Sequence, residues 1–346
     1  MIKAAIAILL SCAISLAARN VQEQPRDCGA PVPILVNGKW GFIDNTGKIT
    51  IEPRFEAAGY FSEGLAIAFV DKQGGYIDQR GEWVIKPSSP GGSFLSGFSE
   101  GRASFVQNDK WGYIDRTGQV VIDAQFFFAG DFHNGLAGVG LEDMKPGLID
   151  KRGKMVLGPF AGYVSKFSEG LLAVSVGSKM GFINRVGKMV IPPRFDTVEI
   201  FSEGLASFRI GDKRGFLDKT GRIVIPPQFD STTEFSEDYS AVEIDNKWGY
   251  IDKSGKFVIP LQFYGAQPFS EGLAAVYIRS KSKYGYVDKS GRMVIPVQFN
   301  RAEPFCGGVA RVDIGRVVTD RMGGDRFEGK FGYINKQGEY VWKQTK

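Results

Sequence analysis

The residues in this chain best suited to chemistry are the glutamates of a recurring Phe-Ser-Glu-Gly block: Glu63, Glu100, Glu169, Glu203, Glu237 and Glu271. A pair of carboxylates facing each other across a glycosidic bond is the machinery of a glycosidase, but its two members need different environments. Six near-equivalent copies do not provide that difference, so these glutamates read as turn or edge charges. The one histidine, His133, stands where other blocks carry Ser62 or Ser202, and reads as a tolerated substitution rather than a base or ligand. One His and three Cys do not give zinc-ligand spacing. No Gly-x-Ser-x-Gly elbow, phosphate loop or dinucleotide fingerprint occurs, and the repeated Asp lacks the nonapeptide context of a calcium-binding β-helix. The expectation is a non-enzyme with no cofactor, no metal and no catalytic residue.

Binding chemistry remains. Lysine recurs two residues before a repeated glycine, at Lys39, Lys110, Lys145, Lys179, Lys213, Lys247, Lys283 and Lys330. Aromatic side chains follow several of them, at Trp40, Trp111, Trp248 and Tyr284. Gly74, Pro146 and Arg214 share that aromatic column, and a buried layer rarely accepts all three, so the column is expected to be partly exposed. On an ordered array these residues form a basic stripe beside aromatic faces, suited to an anionic or sugar polymer. The competing reading is a row of solvated lysines that blocks edge-to-edge sheet pairing. The last interval between repeated glycines, Gly285 to Gly332, is longer than the others. Its extra segment, around Asp313–Gly329, carries Arg316, Arg321 and Arg326, and a charged loop on a rigid scaffold is a candidate contact site.

Self-comparison identifies the elements that would position these groups. Lys39-Trp40-Gly41-Phe42-Ile43-Asp44 returns as Lys110-Trp111-Gly112-Tyr113-Ile114-Asp115 and as Lys247-Trp248-Gly249-Tyr250-Ile251-Asp252. Weaker copies place the same glycine at Gly75, Gly147, Gly181, Gly215, Gly285 and Gly332. The alternating aromatic run predicts a half-buried strand. An Asx residue and, three positions on, a Gly (Asp44 and Gly47, Asp218 and Gly221) predict a tight turn. A returning strand follows and is expected to stop at Pro53, Pro192, Pro226, Pro260 or Pro296. The block around Phe61, Phe98, Phe132, Phe167, Phe201, Phe235, Phe269 and Phe305 then opens a third strand. The residue after each repeated glycine is aromatic or Leu (Phe42, Tyr76, Leu148, Tyr333), which marks a core column.

This pattern resembles the WG-repeat family of bacterial tandem repeat proteins. The resemblance covers residues 34–346 and implies a β-rich protein, commonly of unassigned function; it carries over no catalytic residue. A three-stranded unit of about 34 residues cannot bury its own face and needs neighbours. The expected fold is all-β: eight full units plus a terminal hairpin in an open superhelical array, with a closed propeller-like ring as the alternative. Ile34-Leu35-Val36 and the last hairpin either complete a ninth unit together or cap the two ends. The open form is expected because nine three-stranded blades would be unusual. In that form Cys28 and Cys306 lie too far apart to bond and stay free or pair between molecules.

Composition sets the remaining bounds. Apolar residues make up 43% and aromatics 13% of the 346 residues, which supports an extensive core. A net charge of +5 is too mild for a nucleic-acid partner. Lys3, the apolar Ala4–Leu10 and Ser15-Leu16-Ala17 read as a signal peptide over residues 1–18. Leu9-Leu10-Ser11-Cys12 offers the alternative of a lipid anchor on Cys12. Residues 19–33 read as a flexible linker and 34–346 as the array. The expectation is a periplasmic or secreted monomer with no transmembrane span in the mature chain. It would be a binding or scaffold protein of the cell envelope that presents its repeat surface to a protein or a cell-envelope glycan. The alternative is a structural envelope protein without a specific ligand.

Overall fold

A computed structural model describes residues 26–87, 95–141, 145–159, 167–319 and 325–344, with backbone alone at 316–319 and 325–328. Residues 1–18, Cys12 and Arg321 lie outside the described residues. The rest forms nine antiparallel sheets, each a blade of three or four strands. Blades 1 to 9 take their middle strands from Lys39–Ile43, Gln73–Ile77, Lys110–Ile114, Pro146–Asp150, Lys179–Asn184, Lys213–Asp218, Lys247–Asp252, Lys283–Asp288 and Asp325–Asn335.

Blade 6 shows how local sequence builds the unit. The strand Lys213–Asp218 alternates, so Phe216 is buried on one face and Leu217 on the other. Asp218 then turns the chain: its Oδ1 accepts the Thr220 N–H at 2.9 Å and the Arg222 N–H at 3.1 Å, while Gly221 takes a φ of +87°. The repeated glycine exists for close approach rather than for a turn. A Cβ on Gly249 would sit 2.6 Å from the Ile259 carbonyl oxygen of the returning strand.

That returning strand does not stop at proline as expected. Ile223–Phe229 runs through Pro226 and Pro227 with a break in register against the middle strand. It is the edge of its sheet, where a missing N–H leaves no ladder bond unmade.

Each sequence unit straddles two blades. The strand Leu205–Ile210, opened by one Phe-Ser-Glu-Gly block, pairs with Lys213–Asp218 of the following copy. The same rule gives Val32–Val36 to the first middle strand and Val309–Thr319 to the last. No orphan hairpin remains, and the expected eight units plus a hairpin become nine complete sheets.

The blades pack in a repeating way. The turn glycine of one blade lies on an Ile of the preceding returning strand: Gly221 on Ile191, Gly255 on Ile225, Gly291 on Ile259 and Gly338 on Ile295. The series closes on itself, since Gly47 of blade 1 lies against the Val341 carbonyl of blade 9. Ile34 and Ile43 share a core with Val309, Phe331 and Tyr333 across the same junction. The Tyr333 hydroxyl donates to the Pro33 carbonyl at 2.8 Å, and Trp40 stacks on Phe331 at 6.0 Å. The fold is therefore the closed propeller-like ring, and the open array is wrong. An open array would leave an apolar face bare at each end, and closure buries both.

Cys28 and Cys306 form a disulfide with Cα atoms 4.8 Å apart, which overturns the expectation of free thiols. Residues 26–33 of the stretch read as a linker cross this junction, and the strand of blade 1 already begins at Val32.

Candidate binding surface

The Phe-Ser-Glu-Gly glutamates hold the ring together. Six of them stand at positive φ, between 49° and 53°, in the tight turn that opens each strand. Each carboxylate reaches the next blade's turn and accepts its backbone N–H groups. Glu100 accepts from Gly135 at 2.7 Å, Glu203 from Glu237 at 2.7 Å and Asp238 at 2.9 Å, and Glu271 from Gly307 at 2.6 Å. A cation of that next blade completes each group: Arg116 with Glu63 at 3.5 Å, Lys151 with Glu100 at 3.2 Å, Lys219 with Glu169 at 2.7 Å, Lys336 with Glu271 at 3.1 Å. Burial raises the pKa of Glu100 and of Glu169, but the donated N–H bonds and the lysine outweigh it and hold both below the ordinary range. Where the block carries serine, its hydroxyl donates to the next blade's Phe carbonyl, as Ser202 does to Phe235 at 2.7 Å and Ser236 to Phe269 at 2.8 Å. These carboxylates are turn clamps, and all six do the same work.

The girdle changes at the seam. The last block reads Phe305-Cys306-Gly307-Gly308, so serine and glutamate are both missing. A Cβ on Gly307 would collide with the Gly29 backbone, where the N-terminal segment lies. The disulfide stands there instead, beside an ion pair of Arg26 with Glu303 at 3.1 Å. One residue then resumes the pattern toward blade 2. The Asp27 N–H donates to the Phe61 carbonyl at 2.8 Å, and its carboxylate accepts from Glu63 at 3.0 Å and Gly64 at 2.6 Å. Asp27 thus supplies both the serine and the glutamate contact. Sequence reasoning missed it; the signal was Cys306 in the serine position, with a second cysteine, Cys28, beside Asp27 ahead of the first strand.

The expected basic stripe is largely neutralised. Lys179 pairs with Asp196 at 2.6 Å, Lys213 with Asp230 at 2.5 Å, and Lys283 donates to the Asn300 Oδ1 at 2.5 Å. Lys110 lies 3.1 Å from the Phe127 ring centroid. Lys39 and Lys247 are exposed and have no ion-pair partner among the described residues. Trp40, Trp111, Trp248 and Tyr284 are half-buried, as the column predicted, but each packs on an interblade core. They sit at one position of blades 1, 3, 7 and 8, spread around the ring rather than lined up in one groove. The extra segment of blade 9 is an extension of the hairpin and not a loose loop: Val309–Thr319 pairs with Asp325–Asn335, with Arg316 opposite Glu328 and Arg326 opposite Val318. His133 is a turn residue whose N–H donates to the Leu136 carbonyl. Among the described residues no cluster of His, Cys, Asp or Glu is arranged to hold a metal.

Blade 8 departs from blades 6 and 7 at one position. Asp196 and Asp230 stand just before the short first strands of blades 6 and 7, and accept a hairpin N–H from Gly211 and Asp245. In blade 8 that position is Tyr264, which is 40% exposed. Its ring lies 6.1 Å from Tyr277, which lies 5.0 Å from Tyr284. The hairpin tip is a short 3-10 turn, Arg279–Lys281, closed by the Ser282 N–H on the Arg279 carbonyl. The Arg279 guanidinium sits 4.7 Å from the Tyr264 ring centroid.

Nine antiparallel blades clamped turn to turn and closed through a covalent seam define a repeat-built β ring. The chain belongs to the WG containing repeat family, whose repeat matches residues 40–73, 75–111, 111–143, 180–213, 215–248, 248–281 and 284–315. None of the curated proteins matches it. Among solved structures it is similar to BamB from Moraxella catarrhalis, with 11% identity, 74% of this chain and 93% of that chain covered, and a TM-score of 0.43. It is also similar to apo AztD from Citrobacter koseri, with 16% identity, coverage of 76% and 92%, and a TM-score of 0.42. Hsv2 from Kluyveromyces lactis follows, with 11% identity, coverage of 77% and 94%, and a TM-score of 0.40.

Proposed function

We propose that this protein is a rigid, non-catalytic scaffold of an oxidising compartment outside the cytoplasm, acting as a monomer and offering its ring surface to a protein or a cell-envelope glycan. The observation that carries this reading is the girdle: the recurring glutamates, the residues best suited to chemistry, are committed to holding adjacent blades together. The Cys28–Cys306 bond supports the oxidising compartment, since disulfides persist there and are rare in the reducing cytosol. Export through residues 1–18, with Cys12 as an alternative lipid anchor, fits the same reading. Among the described residues no helix is long and apolar enough to cross a membrane.

Retention of the purified protein on envelope fractions, followed by identification of what it holds, tests the proposal. Turnover of an offered glycan or peptide would count against it. A second reading, a structural envelope protein without a selective ligand, draws on the ion pairs and hydrogen bonds that occupy Lys179, Lys213 and Lys283. Under that reading the envelope fractions retain nothing specifically.

A further inference from the structure

We infer that the tip of blade 8 is a binding site for an acidic carbohydrate, a chain of uronic-acid type, held on Tyr264, Tyr277 and Tyr284 and rimmed by Arg279, Lys281 and Lys247. The inference rests on the scaffold reading above and names the ligand class that surface would take.

Comparison between blades carries the argument. In a repeat protein most side chains answer to the repeat, so a concentrated departure marks something the repeat does not require. The acid that caps the hairpin and pairs with a lysine in blades 6 and 7 is replaced in blade 8 by Tyr264. Its loss leaves Lys247 of the preceding blade without an acidic partner among the described residues, while the tip adds Arg279 and Lys281, both exposed. The buried tyrosines elsewhere spend their hydroxyls on backbone carbonyls: Tyr76 on Ser96, Tyr113 on Gly130, Tyr250 on Gln267 and Tyr286 on Glu303. The Tyr264, Tyr277 and Tyr284 hydroxyls make no hydrogen bond among the described residues.

Three phenol rings in sequence, tilted by 48° and 55° to one another, form a stepped platform whose outer ring, Tyr264 at 40% exposed, can stack on the C–H face of a pyranose. Their hydroxyls can exchange hydrogen bonds with sugar hydroxyls. The ring cations supply attraction for the carboxylates of a uronate chain, and Arg279 adds a planar fork that fits a carboxylate. A neutral sugar would leave the cations unused. An acidic peptide would use the cations but leave the platform without a matching face.

The test is calorimetric titration of the intact, disulfide-closed protein with a galacturonate tetrasaccharide, alongside cellotetraose and hexaglutamate. The expected result is binding of the uronate alone, weakening as salt is raised. Tyr264→Ala and Arg279→Ala should each reduce the affinity by about tenfold or more. Both sites are exposed, and an unchanged denaturation midpoint confirms that each variant is folded. Equal binding of hexaglutamate, or wild-type uronate affinity in folded Tyr264→Ala, overturns the inference. Absence of uronate binding by a protein still retained on envelope fractions overturns the blade 8 site and leaves the scaffold reading standing. If neither is bound, both readings fall.

Discussion

The Asp27 carboxylate accepts the Gly64 N–H at 2.6 Å, across 37 residues of sequence. Six glutamates make the equivalent contact elsewhere, but each does so from within a repeat, whereas Asp27 precedes the first strand. The residue after the blade 1 turn aspartate is Asn45, where most later copies carry Lys or Arg. That change matches the loss of glutamate at Gly307, the block that would have faced it. Asp27→Ala should leave two turn N–H groups without their acceptor and cost about 1–2 kcal/mol, since the site is only part-buried. Urea denaturation checks this, with Glu203→Ala as the internal equivalent. An Asp27→Ala midpoint equal to wild type would show the N-terminal clamp to be idle.

Local pattern carried most of the blade. Strand alternation, the Asx and Gly turns and the aromatic column after each repeated glycine were legible because each depends on residues a few positions apart. Phe42, Tyr76, Leu148 and Tyr333 are all buried as that column required. Closure was legible only as the alternative, because it depends on residues far apart in sequence that break the pattern: Asp27, Cys28, Cys306 and Gly307. The basic stripe failed for a related reason. Lys179 and Lys213 are each met by an acid 17 residues on, in a variable stretch that pattern comparison sets aside. The blade 8 tyrosines were visible only in part, through Tyr284, since Tyr264 and Tyr277 occupy non-repeating positions.

Peptide mapping of non-reduced protein should yield a linked Cys28–Cys306 peptide. The bond closes a sequence separation of 278, so most of the chain lies within its loop. Cys28→Ser should therefore lower stability by about 2–5 kcal/mol while the far-ultraviolet spectrum keeps its β character. The hydrophobic seam of Ile34, Ile43, Val309 and Phe331 stays in place without the bond. Free thiols in exported protein would remove the covalent seam altogether.

Gly221→Val should be more damaging than a surface change of the same size. Gly221 adopts a φ of +87°, and a Cβ there would sit 3.1 Å from the Ile191 Cγ2 of the preceding blade. Backbone strain and interblade crowding together should cost about 2 kcal/mol or more. A thermal melt matching wild type would contradict the turn geometry.

Trp40 is half-buried yet stacks on Phe331 across the seam at 6.0 Å and 20° between planes. The sequence column marked it as an exposed edge residue, which would make its removal mild. Its packing implies instead a loss of about 2 kcal/mol for Trp40→Ala, with Trp248→Ala acting on the junction of blades 7 and 8 alone. Double variants that add Cys28→Ser to each discriminate between them. Trp40 shares its seam with the disulfide, so its cost should be non-additive, while Trp248 should add simply. Simple additivity in both would show that Trp40 does not work at the seam.

The girdle makes stability depend on pH in a defined direction. Burial raises Glu100 and Glu169, but N–H bonds from Gly135 and Gly204 and ion pairs with Lys151 and Lys219 hold both below their ordinary value. The turn aspartate Asp218 is held lower still, at about 2, first by the Thr220 hydroxyl bond and then, against a smaller opposing effect of burial, by Arg222. A carboxylate whose folded pKa is depressed stabilises the fold fully above its unfolded value, and that contribution is lost as pH falls toward the folded value. The urea midpoint should be flat from about pH 8 to pH 5 and fall below about pH 4. Glu169→Gln should be less stable than wild type at pH 7, since the amide keeps the shape but not the charge. As pH falls through the depressed pKa of Glu169, below the ordinary carboxylate range, the wild-type carboxylate is itself protonated, and the two proteins should converge. A gap that stays constant across that range would mean that Glu169 holds its neighbour by packing, and that the charge on the girdle does not matter.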